Sequence, residues 1–223
     1  MILSNSAFET PVEISENTIS MLVVENKELA AAMINELIYM SENNTEGKFF
    51  LSEEGKDIAL SEVEIITDFY RPDYNNRKLV NKLLSLLSKK AVDEAYYERT
   101  YSLVGEIYSF ADSIVNEFDF CIETDEPAVQ DIFKICNIKF ISEKDSLAGN
   151  LLDYFKIYRE LLGTKLFIAV NLRKSLPDHV INEFYKDVMY NKYNLLLIET
   201  EMPRTRLQCE KYKIIDKDLC EIT

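Results

Sequence analysis

Apolar positions along this chain recur with two different periods, and the period changes twice. From Met1 to about Asp73 short β-rich runs dominate: Val12–Ile14, Ile19–Val24, Lys48–Leu51 and Val63–Thr67. One helix interrupts them, Lys27–Met40, with Leu29, Met33, Leu37 and Met40 at helical spacing and Asn26 placed to cap it. The polar turn Ser15-Glu16-Asn17 suggests a local hairpin between the first two runs. From about Asn75 to Gly163 the period is helical. Leu79, Leu83, Leu86 and Leu87 form one stripe; Val104, Ile107, Ala111, Ile114 and Phe118 step as a long helix packed on another helix does. A helix from Pro127 to Cys136 is flanked by two short strand candidates, Phe120–Glu123 and Ile138–Ile141, and Leu147–Leu162 is a further amphipathic helix closed by Gly163. Strands then return at Lys165–Leu172 and Leu195–Glu199 around a helix, Pro177–Tyr190, and Tyr212–Ile215 with Leu219–Ile222 resemble a terminal hairpin.

Short apolar runs on either side of a helix indicate parallel strands joined by a crossover. The expected fold class is therefore α/β: a head domain built from residues 1–74 and 164–223, with a helical leg of residues 75–163 inserted between them. No internal repeat is visible.

Composition narrows the class. A hydrophobic fraction of 47% with 11% aromatics belongs to a folded protein. The four cysteines (Cys121, Cys136, Cys209, Cys220) have no paired spacing and are expected to be reduced and mostly buried. No signal peptide is evident, and the longest apolar stretches, such as Leu166–Val170, are strand-sized, so a cytoplasmic protein without membrane contact is expected. A net charge of −14 argues at first against nucleic acid.

That argument weakens because the charge is segregated. Between Asp112 and Phe133 lie seven carboxylates and no Lys or Arg, whereas Tyr74–Val92 holds five bases and no acid. Several Asp and Glu in a short non-helical segment suit calcium, which takes six to eight oxygen ligands in flexible geometry. They also suit the metals of phosphodiester cleavage. A solvated acidic turn explains them as well, and the spacing from Asp119 does not match an EF-hand. Lys78, Lys82 and Lys89 fall within about 40° of one another on a helix. A solvated helix face explains that grouping, but no acid is interleaved to pair with them, and a phosphate backbone would relieve their repulsion.

Other chemistries find little support. Only five glycines occur, and none forms GxxxxGK[ST] or GxGxxG, so a head of the nucleoside-triphosphatase type would lack its phosphate loop. The sole histidine, His179, reads as an exposed residue at a helix start.

The order of segments resembles the type II-A CRISPR-associated adaptation protein family, tetrameric rings that encircle DNA ends. The resemblance rests on Lys48-Phe49-Phe50, Ile65–Asp68, Leu166–Asn171, Leu195–Glu199, Ile215–Leu219, and the acidic stretch from Asn116 to Glu126 after a long helix. The turn Ser15-Glu16-Asn17 departs from it, standing where glycines are expected. The resemblance implies a degenerate nucleoside-triphosphatase-like α/β head with an inserted helical leg domain, and a homotetramer with an acidic outside and a basic channel. It implies Ca2+ held by Glu117, Asp119, Glu123, Asp125 and Glu126, within an acidic segment spanning 112–131, in the head–leg region. Candidate DNA-binding residues are Lys78, Lys82, Lys89, Lys90, Lys134 and Lys139. The implied activity is non-catalytic binding of double-stranded DNA ends in spacer acquisition, beside the CRISPR integrase proteins and the RNA-guided effector nuclease. A metal-dependent nuclease using the acidic cluster is the alternative.

Overall fold

Ile19–Val24 (β3), Leu166–Val170 (β7) and Leu195–Glu199 (β8) are buried at every residue, as strands covered on both faces must be. In the computed structural model, which describes residues 1–141 and 146–222, they form the middle of a six-stranded sheet. Its order is β10-β9-β3-β8-β7-β6, with Val63–Ile66 (β6) and Glu210–Ile215 (β9) parallel to the central three and Glu221–Ile222 (β10) antiparallel at one edge. Register is fixed by pairs such as Met21 with Leu197 and Ala169 with Leu197.

One face of this sheet meets a helix and a second sheet. Lys27–Asn43 (α1) starts where the Asn26 side chain accepts from the Leu29 amide at 3.0 Å, and it buries Ala30, Met33, Leu37 and Met40. The second sheet is antiparallel, in the order β2-β1-β4-β5, made of Val12–Glu13 (β2), Ile2–Asn5 (β1), Phe49–Glu53 (β4) and Lys56–Ile58 (β5). Glu54 and Gly55 both have positive φ, at 50° and 76°, so the β4–β5 connection twists as a tight hairpin does. Leu3, Phe49 and Leu51 from this sheet share one core with Leu22, Ile168, Leu196 and Ile198.

Two helices, Leu147–Leu162 (α5) and Asp178–Tyr190 (α7), cover the other face, and the short helix Leu172–Ser175 (α6) lies between them in the chain. Phe155 of α5 is fully buried, stacked on Phe167 of β7 at 3.9 Å between centroids and edge-on to Phe184 of α7 at 5.7 Å. At the sheet edge Lys213 donates to Thr10 Oγ1 at 2.7 Å and to Glu221, whose carboxylate in turn accepts from the Glu9 and Thr10 amides.

The chain divides into two compact units, Met1–Pro72 with Ser142–Thr223, and Asp73–Ile141. The first is an α/β fold; in chain order its parallel strands lie fifth, first, fourth, third, second across the sheet. The second unit, the arm, contains Arg77–Ala91 (α2), Tyr97–Val115 (α3) and Val129–Ile135 (α4). The expected leg of 75–163 thus ends earlier, because α5 buries Leu151, Tyr154, Phe155 and Tyr158 within the first unit.

Several expectations are corrected. Phe120–Glu123 and Ile138–Ile141 are irregular, not strands, since neither finds a partner strand. Instead the Asn75 side chain both donates to the Phe140 carbonyl at 3.0 Å and accepts from its amide at 2.8 Å, copying a strand pair with one side chain. The hairpin after Val12–Ile14 shrinks to a single bridge, Ser15 to Thr18, because β2 pairs with β1 while β3 enters the central sheet. In α3 Val104 is buried but Ile114 is exposed, and Phe118 lies exposed beyond the end of the helix, so the stripe packs only in its first half. The cysteines are free as expected, yet Cys121, Cys136 and Cys220 are exposed.

Replacing Phe155 with Ala removes the ring that joins β7, α5 and α7. The expected loss is about 3–5 kcal/mol of unfolding free energy, read from urea melts, without loss of the fold at low denaturant.

Candidate nucleic-acid interface

Helix α2 is capped by the Asn76 side chain, which accepts from the Leu79 amide at 3.1 Å, and it has no acidic residue in its first turn. Leu79, Leu84 and Ala91 are buried. At about 100° per residue Leu84 and Ala91 lie across the helix from Lys78, Lys82 and Lys89. The expected stripe is therefore rotated: Leu84 belongs to the core and Leu86 is exposed. Lys78, Lys82 and Lys89 are exposed, and none forms an ion pair among the described residues. Lys139 is likewise exposed and unpaired. Lys90 and Lys134 differ, bound to Asp93 at 3.0 Å and Asp131 at 2.9 Å, pairs whose worth is small because both are open to solvent.

The acidic segment runs from the end of α3 to the start of α4. Asp112 accepts from Asn116 Nδ2 at 2.9 Å and Thr124 Oγ1 at 3.1 Å, and Asp131 accepts from the Ala128 amide at 3.1 Å. The Lys134 hydrogen bond holds the Asp131 carboxyl below its ordinary value. Glu117, Asp119, Glu123, Asp125 and Glu126 are all exposed and form no ion pair among the described residues. No group of three or more His, Cys, Asp or Glu is arranged to hold a metal ion among the described residues. Among the described residues the five carboxylates expected to ligate calcium are not gathered into such a group. With no base between them, like charges are most stable spread into water.

The head has its own polar crevice, at the carboxyl ends of the parallel strands, where open α/β sheets usually take ligands. Between β3 and α1 stand only Glu25 and Asn26, so there is no loop to wrap a phosphate. Asn171, with φ of 59°, accepts from Thr200 N at 3.1 Å and Oγ1 at 2.9 Å. Glu199 ends β8 fully buried and accepts from the Arg173 amide at 2.7 Å and the Lys174 amide at 3.3 Å. Burial pushes its carboxyl up to about 7 against the pull of those amides. Arg173, also buried, donates to Glu210 at 3.0 Å, Asp178 at 2.5 Å and the Thr205 carbonyl at 3.0 Å. Glu210 further accepts from Tyr185 and Tyr212. The crevice, about 450 Å³, thus has its buried charges answered from within. His179 lies exposed in the first turn of α7, as expected. The sequence reading passed over Arg173, Glu199 and Glu210; the available signal was a carboxylate directly continuing or opening an apolar strand.

With this geometry in place, comparison with known proteins is decisive on ancestry. The model of the family described as CRISPR-associated protein (Cas_Csn2) matches residues 40–219. This chain belongs to that family. The Cas_Csn2 relatives include a CRISPR-associated protein Csn2 of Enterococcus faecalis, 23% identical over 212 residues that cover 93% of this chain and 94% of the relative. Another, from Streptococcus agalactiae, is 22% identical over 214 residues, covering 94% and 92%. Among solved structures, a putative ABC transporter ATP-binding protein from Pyrococcus furiosus aligns over 95% of this chain and 97% of its own, at 8% identity and a TM-score of 0.37, too low to argue from. No helix among the described residues is long and apolar enough to cross a membrane.

The raised Glu199 carboxyl makes a pH prediction. Between about 4.5 and 7 the folded state holds a proton that the unfolded chain has released. Stability from this group is therefore full below the lower value and lost as pH rises through the upper one, by roughly 3 kcal/mol at most. Unfolding curves from pH 4.5 to 8 should show that decline, and Glu199→Gln should flatten it.

Proposed function

We propose that this Cas_Csn2-family protein binds linear double-stranded DNA through its phosphates, without catalysis and without base readout, in support of CRISPR spacer acquisition. The observation that carries the reading is the side of α2 bearing Lys78, Lys82 and Lys89, exposed and unpaired opposite the buried Leu84 and Ala91. Three ammonium groups without local carboxylates repel one another, and a sugar–phosphate backbone relieves that repulsion while releasing counterions. Such contacts position a duplex without reading its sequence. Lys139 adds a fourth unpaired charge to the same unit, whereas Lys90 and Lys134 must first give up their carboxylate partners.

The net charge of −14 fits a closed assembly better than an open surface. In a homotetrameric ring with its lysines inward and its carboxylates outward, DNA is repelled from the outside and held in the channel. The partners of this reading are DNA ends, other copies of the chain, the CRISPR integrase proteins and the RNA-guided effector nuclease, all in the cytoplasm. Calcium has no step in this mechanism, because the carboxylates expected to bind it are not gathered. The alternative, a metal-dependent nuclease, would need carboxylates gathered around its metal, and no such group occurs among the described residues.

The test is binding of a linear duplex across a salt series. Affinity should fall steeply with salt, and Lys82→Glu with Lys89→Glu should weaken binding while lowering the log–log slope by about 0.9 for each phosphate no longer neutralised. Linear DNA should compete far better than covalently closed plasmid of equal length. Equal competition by the two would remove encirclement, and an unchanged affinity in the double variant would remove the lysine face.

A further inference from the structure

The small antiparallel sheet of the head leaves one edge open. β5 pairs with β4 on one side, and no strand among the described residues pairs with its other side. In a two-residue hairpin the pairs Glu53–Lys56 and Leu51–Ile58 exchange their backbone bonds, so the amide and carbonyl of Asp57 between them point to the open edge. Such an edge is a template for a further strand.

Beside this edge runs a groove of about 480 Å³, within the roughly 300–1,000 Å³ of common binding pockets. Buried Met40, Phe49, Leu51, Ile58 and Leu60 make its lining largely apolar. The residues from Asn44 to Gly47 form another part of the lining, and Gly47 lets them close on α1, since a Cβ there would lie 2.5 Å from Met40 Sδ. Phe50 also lines the groove and is 63% exposed. By strand alternation it shares the outer face of the sheet with Ser52, and Asp57 lies opposite Ser52 on that face.

Charge decides what kind of segment fits. Glu46 and Asp57 line the groove; Glu42 precedes it at the end of α1, and Glu53 and Glu54 follow in the hairpin. All five are exposed, and none forms an ion pair among the described residues. Lys48 and Lys56 are the only bases from Glu42 to Asp57, so five acids against two bases leave this stretch at −3. Nucleic acid is repelled by such a surface, and a second copy of a chain at −14 brings the wrong sign.

We propose that β5 and its groove dock an extended segment of a partner protein, rich in Lys or Arg alternating with apolar residues, as an added strand. Asp57 supplies the backbone bonds, Phe50 and the groove take the apolar side chains, and the carboxylates of Glu46 and Asp57 meet the cations. The surface lies in the head and uses no lysine of α2, so this inference goes beyond the DNA reading and does not depend on it.

The test uses the full-length protein and a short fluorescent peptide alternating Lys with Val, read by anisotropy at physiological salt. The peptide should bind, and N-methylation of alternate backbone amides, which keeps its charge, should weaken binding about tenfold. Phe50→Ser, at an exposed position, should weaken it by a similar factor. Glu46→Lys with Asp57→Lys should transfer preference to a peptide alternating Glu with Val. Equal binding of the N-methylated peptide would reduce the effect to bare charge attraction and overturn the proposal, as would unchanged affinity in Phe50→Ser. Altered sedimentation of the Phe50→Ser protein without peptide would give this face to a second copy and overturn it too.

Discussion

A parallel sheet needs cover on both faces, and this requirement organises the first unit. β3, β7 and β8 present side chains to two different partners at once. α1 and the small antiparallel sheet take one side; α5 and α7 take the other. The Phe155–Phe167 stack is where the second cover is fixed, and it draws α5 into the head although a long insertion separates it from β6. At the carboxyl ends of its strands, buried Arg173 is paired with Glu210 and Asp178.

Charge follows the opposite logic in the arm. In the head, buried Arg173 and Lys213 are each met by carboxylates, as low dielectric demands. In the arm, bases and acids sit on separate stretches and largely fail to meet. Water and salt can solvate the unpaired lysines on one side of α2; in the proposed reading a phosphate backbone takes that place. The family relationship supplies the setting, a CRISPR-associated protein, and the lysine side supplies the chemistry.

Much of the head was legible from period alone. Leu195–Glu199 and Leu147–Leu162 carry the bounds that the apolar runs indicate, since a strand buried on both faces and a helix closed by a glycine leave sharp marks. The pattern could not tell whether α5 packs on helices or on a sheet, because the stripe is the same for either; the boundary of the arm moved for that reason. Phe120–Glu123 and Ile138–Ile141 have strand-like composition without partners, and pairing is not written in a single run. The exposure of the α2 lysines was legible because burial and spacing agree, whereas five neighbouring carboxylates say nothing of whether their side chains converge. The Arg173 network was hidden, since it joins residues far apart in sequence.

One amide shapes how the arm relates to its own ends. Asn75, just after the arm begins, clasps the backbone of Phe140, just before the arm closes. Entry and exit are thereby stapled side by side, so the excursion between them is topologically a closed loop. Its helices can therefore lengthen, shorten or change charge while the two ends of the unit stay held together.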